Sequence, residues 1–184
     1  AVGVALVARP LGEVMIGESL RAAAVQVTPW IALSALLYGM TAYYFGQAFT
    51  LGRKTRLLLV AMAVPATLNV ILNMLLIPHF GLIGAAWATA ASFGAGVLAT
   101  IALGRGVMPL PIPWDCLIRC VISAGVMALV VRLLPSIGGF AELMLDASVG
   151  ALVYGVMAVI LNAAGVRDLI LRLVRQKLSR DVPA

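Results

Sequence analysis

The sequence predicts an all-α, polytopic membrane helix bundle, and three observations carry that expectation. Of the 184 residues, 63% are hydrophobic and only 11% are charged, against roughly 45–50% and 25% in ordinary soluble domains. The apolar residues gather into five runs, each long enough for the hydrocarbon core of a bilayer. The cations fall in alternate short loops, as cytoplasmic retention of positive charge requires. A formal charge of +6 suggests nucleic acid only until its placement is read. The basic residues do not form a surface that could follow phosphates, so no nucleic-acid partner is expected.

Residues 1–11 read as the tail of a helix whose beginning is missing. Ala1 is not an initiator Met and no basic flank of the signal-peptide kind accompanies it, which predicts a piece of a longer protein. Spans follow at about 26–49, 56–77, 82–104, 116–135 and 143–164. The expected division is a transmembrane helical lobe over 1–164 and a basic amphipathic cytoplasmic tail over 165–184. In that tail Val166, Leu169, Ile170, Leu173, Val174 and Leu178 share one helical face, while Arg167, Arg172, Arg175 and Arg180 take the other and Lys177 sits near the boundary.

Orientation follows from the loops. Arg53, Lys54 and Arg56 lie in one, Arg105 and Arg119 flank another, and five cations follow Ala164, so ten of the thirteen basic residues belong on the cytoplasmic side. The intervening loops hold Glu13, Glu18 and Arg21, then His79, then Glu142 and Asp146, and are expected to face outward.

Lipid supplies no hydrophobic drive between helices, so small residues mark where backbones approach. Gly84, Ala88, Ser92 and Gly96 form one such ridge, and Cys116, Cys120, Ala124 and Ala128 predict a second. The two cysteines, four residues apart on one helix, have Cβ vectors badly placed for a disulfide and are too few for a metal site, so reduced thiols and no metal are expected.

Polar side chains inside apolar spans are the functional candidates. Pro65, Asn69 and Asn73 share one stripe of the 56–77 helix, where Pro65 frees a carbonyl near Ala61 and predicts a kink. Ser34, Tyr38 and Thr41 share a face of the 26–49 helix, with Tyr44 and Gln47 beyond. Two facing stripes can line a wet path; equally, asparagines can serve as hydrogen-bonding glue between helices. No catalytic constellation accompanies them: seven carboxylates are scattered over loops and ends, there is a single histidine, and no Walker-type loop or nucleophile–base pair occurs. Neither an enzyme nor a cofactor is expected.

The run Leu68-Asn69-Val-Ile-Leu72-Asn73-Met-Leu-Leu-Ile77-Pro78-His-Phe-Gly81-Leu-Ile-Gly84-Ala85-Ala86-Trp-Ala88-Thr89 resembles the signature of polysaccharide flippases. These form the Wzx-like branch of the multidrug/oligosaccharidyl-lipid/polysaccharide exporter superfamily. Gly17-Glu18-Ser19, the helix ending in Ala48-Phe49, and the loop Gly52-Arg53-Lys54-Thr55-Arg56 are similar to that family's order of parts, so the likeness covers roughly 10–105. It implies the C-terminal lobe of a two-lobed transporter in the cell inner membrane, with a missing N-terminal lobe as partner. It also implies a lipid-linked (undecaprenyl-diphosphate) oligosaccharide as substrate, moved by alternating access among membrane lipids.

Such a substrate needs cations at the inner mouth and hydrogen-bonding groups further in. Arg53, Lys54 and Arg56 fit the first need, although topogenic charge alone also explains them. Asn69, Asn73, Tyr38 and Thr41 fit the second. A lipid II flippase is similar over 50–90, and a non-transporting scaffold is a further alternative. A multidrug exporter of the same superfamily would be expected to carry acidic residues within its helices, and the sequence reading assigns no span a central Asp or Glu.

A peptide of residues 165–184 is expected to become helical on anionic vesicles and much less so on neutral ones, as circular dichroism would show. An unstructured spectrum with both would contradict the amphipathic tail.

Overall fold

The computed structural model describes residues 1–108, 110–111, 114–135 and 137–163, and regular structure among them is entirely helical. The tail expected over 165–184 lies outside the described residues. The chain divides into two compact units, Ala1–Pro111 and Ile112–Ala184.

The first unit opens with α1 (Val2–Leu6) and α2 (Ala8–Met15), so helical backbone runs past the end expected at residue 11. Pro10 does not stop it, because the third helical position has no intrahelical N–H bond to lose. The extended backbone of Gly17 (ψ 152°) ends that stretch, and α3 (Glu18–Met40) begins well before the expected residue 26. Glu18 in its first turn complements the positive end of the helix dipole. The helix then passes through a π-helical turn, Thr41–Phe45, and continues as α4 (Gln47–Leu51). In that turn the Gly46 N–H donates to the Thr41 carbonyl at 2.8 Å. A Cβ on Gly46 would stand 2.6 Å from the same oxygen, so this closure needs glycine.

α5 (Thr55–Arg105) holds 51 residues, a length of about 77 Å if straight, against a hydrocarbon core of about 30 Å. It is not straight. Gly81 alone within it leaves helical dihedrals, at φ 57° and ψ −133°, and the chain doubles back there. Asn69 meets Thr89, Pro65 meets Gly96 and Leu76 meets Gly84, pairs all centred within a residue of position 80. The two arms, 55–80 and 82–105, are therefore an antiparallel hairpin. Pro78, three residues earlier, stays helical, since it fixes φ at a helical value, and only glycine readily adopts the dihedrals of the reversal. Pro65, where a kink is expected, keeps helical dihedrals, and its ring meets Gly96.

The second arm packs through its small residues. Gly84, Ala88, Ser92 and Gly96 are all buried, and Thr100 and Gly104 continue the ridge at the same interval of four. A Cβ on Gly96 would lie 3.0 Å from the Pro65 ring, and one on Gly84 would lie 2.5 Å from the Leu76 carbonyl oxygen. The last ridge residue, Gly104, faces Ala48 and Phe49 of α4. Phe49, fully buried, is the largest side chain so enclosed.

The second unit contains α6 (Trp114–Arg132) and α7 (Gly139–Ile160). They run antiparallel: Arg119 near the start of α6 donates to the Leu161 carbonyl at 2.9 Å, just beyond the end of α7. At the other end Glu142 accepts the Gly138 N–H at 2.7 Å, satisfying a donor at the start of α7. The ridge expected on α6 is displaced. Its buried residues are Ser123, Met127 and Val131, while Cys116, Cys120, Ala124 and Ala128 are only half-buried. Close approach comes instead from α7, where Gly150 faces the side chains of Met127 and Val131.

Four stretches among the described residues are long and apolar enough to cross a membrane: Glu18–Leu51, Thr55–Arg105, Trp114–Arg132 and Gly139–Ile160. Since the second doubles back at Gly81, it holds two arms, 55–80 and 82–105, each long enough to cross. The chain is a polytopic membrane helix bundle. Gly81→Ala is expected to destabilise it by about 1–3 kcal/mol through backbone strain. Gly94→Ala, in open space on the same helix, should be neutral or stabilising. Thermal unfolding in detergent compares the two.

Candidate functional site

On the first unit three helical walls enclose a recess of about 340 Å³. α3 and the π-turn contribute Tyr38, Thr41 and Ala42; the first arm of α5 contributes Met62, Pro65, Ala66 and Asn69; the second contributes Thr89, Ser92, Phe93 and Gly96. The hairpin at Gly81 brings the last two sets together. Absence of a side chain at Gly96 lets the Pro65 ring form the floor between them. The Tyr38 and Phe93 rings, 5.5 Å apart and tilted by 59°, join α3 to the second arm. π-turns of this kind recur at functional sites, and here one supplies two of the lining residues.

A chain of hydrogen bonds crosses the hairpin beside the recess. Asn73 Nδ2 donates to Asn69 Oδ1 at 2.9 Å, Asn69 Nδ2 donates to Thr89 Oγ1 at 3.3 Å, and Thr89 Oγ1 donates to the Ala85 carbonyl at 2.8 Å. Asn73 Oδ1, buried, ends the chain without a partner among the described residues.

Of the residues singled out in the sequence, Tyr38, Thr41 and Asn69 meet in the recess, and Asn73 sits one turn beyond, held to Asn69. Arg53, Lys54 and Arg56 do not reach it. They are exposed around the start of α5, and Asn69 lies thirteen residues, about 20 Å, further along that helix. Arg53 takes a left-handed conformation (φ 54°) in the turn. Gly52 touches Val107, so Arg105 belongs to the same end of the unit. That end gathers four cations, with no Asp or Glu in 47–56 or 101–111. Ser34, also on the predicted stripe, is buried and donates to the Trp30 carbonyl at 2.8 Å, which makes it a packing residue. Tyr44 leaves the stripe to donate to the Pro111 carbonyl at 2.6 Å.

Met62 and Phe93 escape sequence reasoning, since an apolar residue in an apolar span gives no polar signal. Asp146 escapes for another reason. Expected in an outward loop with Glu142, it lies two turns inside α7 and is buried, with 8% of its surface accessible. The expectation that Asp146 lies in a loop is therefore corrected. No hydrogen bond or ion pair to Asp146 occurs among the described residues. Carboxylates inside spans are costly and commonly functional. Cys116 and Cys120 are free thiols, and no group of three or more His, Cys, Asp or Glu suited to a metal is present among the described residues.

Fold and site define a multi-pass membrane protein with a lateral recess and a cationic end. Over 101 residues the chain is 41% identical to a Haloferax volcanii protein described as "Probable flippase AglR". The match takes in 53% of this chain and 21% of that relative, so the chain spans about a fifth of its length. No protein-family model and no solved structure matches the chain.

Thr89→Val removes the acceptor of Asn69 while keeping the shape. It should destabilise the hairpin by about 0.6 kcal/mol, the usual worth of an interhelical hydrogen bond in lipid. Asn73→Ala, which removes a bond within one arm, should disturb the hairpin less. Thermal unfolding in detergent distinguishes them.

Proposed function

We propose that this chain is part of a flippase that moves a lipid-linked oligosaccharide from the cytoplasmic to the outer leaflet of the cell inner membrane. The carrier is undecaprenyl diphosphate, and the product serves polysaccharide biosynthesis. The observation that carries the reading is the 41% identity to a relative described as a flippase, in a chain built of membrane-crossing helices.

The geometry supports it. A diphosphate is anionic, and the end holding Arg53, Lys54, Arg56 and Arg105 offers it a cationic mouth. The recess opens on the flank of the same helices, so headgroup and chain can engage separate parts of one unit. A second lobe, outside this chain, would supply the opposite wall, and rocking of the two would alternate access. Catalysis plays no part: the work is transfer between leaflets.

Asp146 favours a second reading, an ion-coupled exporter of the same superfamily, because a buried carboxylate within a span suits coupling to an ion gradient.

The test uses the full-length protein in proteoliposomes with a fluorescent lipid-linked oligosaccharide. Replacing Arg53, Lys54 and Arg56 together by Gln should slow flipping several-fold, with insertion unchanged. Unaltered flipping would leave those cations with only a topological role. No flipping by the wild type, together with drug efflux that loses its ion dependence in Asp146→Asn, would establish the exporter instead.

A further inference from the structure

We infer that the recess between α3 and the two arms of α5 seats the hydrocarbon chain of the translocated lipid, a polyprenyl chain, and not its sugars or diphosphate. The inference rests on the flippase reading and assigns one part of the substrate to one part of the unit.

Five of the lining residues carry a hydroxyl or amide, and sequence reasoning assigns three of them, Tyr38, Thr41 and Asn69, to a wet path; apart from the Tyr38 hydroxyl, these groups are already engaged. Thr41 donates to the Leu37 carbonyl at 3.2 Å, Thr89 to Ala85 at 2.8 Å and Ser92 to Ala88 at 2.6 Å, each within its own helix. Asn69 accepts from Asn73 and donates to Thr89. A sugar or a diphosphate entering here would give up its hydration and find few donors in return, a loss that hydrocarbon does not suffer. What remains on the walls, besides the Tyr38 hydroxyl, is carbon, from Ala42, Met62, Pro65, Ala66 and the faces of Tyr38 and Phe93.

Depth agrees with chemistry. Pro65 lies ten residues into α5, about 15 Å from its cytoplasmic start, which is near the middle of a bilayer of about 30 Å. Hydrocarbon tails occupy that level. Tyr38 and Met62 are 46% and 45% accessible, and Ala66 is exposed, so the recess opens sideways, where a chain can slide in from the bilayer without crossing water.

Moving a chain from lipid into this recess gains no hydrophobic free energy, because both surroundings are apolar. Selection must come from shape: a rigid Pro65 ring set against Gly96, with Met62 free to adapt, fits a methyl-branched chain by close contact. The recess thus positions the chain and discriminates among chains, while the cationic end engages the headgroup.

The test uses the full-length protein with Met62 replaced by p-benzoylphenylalanine, reconstituted with radiolabelled undecaprenyl phosphate lacking sugar. Leu59, on the same arm and 68% accessible but outside the recess, carries the photoprobe as control. Position 62 should capture the polyprenyl lipid several-fold better than position 59. Unlabelled undecaprenol should compete; free oligosaccharide and excess saturated phospholipid should not. Ala66→Trp, which fills the recess, should reduce capture at 62 and slow flipping of the long-chain carrier more than that of a short-chain analogue. Equal capture at 59 and 62 would mean bulk lipid only, and displacement by free oligosaccharide would make the recess a sugar site; either overturns the inference. Flipping without selective capture defeats this assignment and leaves the flippase reading intact, whereas selective capture without flipping does the reverse.

Discussion

Close contact between the two arms of α5 is the constraint on which the rest of the first unit depends. In water, two apolar helices are pressed together by the hydrophobic effect. In lipid they are not, and only fit and hydrogen bonding hold them. The sequence meets that demand with a residue that reverses the chain, Gly81, and a ridge without bulk from Gly84 to Gly104. One polar bridge, Asn69 to Thr89, adds direction. Without the reversal, Pro65 and Gly96 would lie about 46 Å apart along a continuous helix, and neither the recess nor the cationic end would be assembled.

That constraint separates two jobs along the membrane normal. The end of the unit where α4 meets α5 collects charge, from Arg53, Lys54, Arg56 and Arg105. The middle collects carbon, with its few polar groups turned onto their own helices or onto each other. A substrate with an anionic head and a long apolar chain matches this order of surfaces, each part meeting groups of its own kind. The second unit follows the same packing rule with a different donor of close approach, since Gly150 of α7 lets Met127 and Val131 of α6 come near. It also places a buried carboxylate, Asp146, two turns inside α7.

Much of this was legible in the sequence, and the failures have physical causes. The hairpin between the 56–77 and 82–104 runs followed from length, and the ridge from Gly84 to Gly96 followed from spacing, because both depend on local chain geometry. Of the site residues expected from sequence, Tyr38, Thr41 and Asn69 converge, and the basic loop lies about 20 Å away, at the end of the helix. Proline does not mark the reversal, since Pro65 and Pro78 keep helical dihedrals and Gly81 departs from them. The π-turn at Thr41–Phe45 and the apolar walls at Met62 and Phe93 have no signature in composition; they depend on which helices become neighbours. Polar stripes leave two roles open for the same reason, for a hydroxyl's partner cannot be read from spacing, and in the recess most such partners are internal.

The central claim, that α5 is a closed hairpin interlocked at Asn69 and Thr89, is tested most directly by cross-linking across the arms. Asn69→Cys and Thr89→Cys would be introduced together into the full-length protein, with Cys116 and Cys120 changed to Ser, and membranes treated with an oxidant. Rapid, near-complete formation of a disulfide is the predicted result. A continuous helix would hold the two positions about 30 Å apart, so failure to form any cross-link, even with reagents of moderate span, would contradict the account.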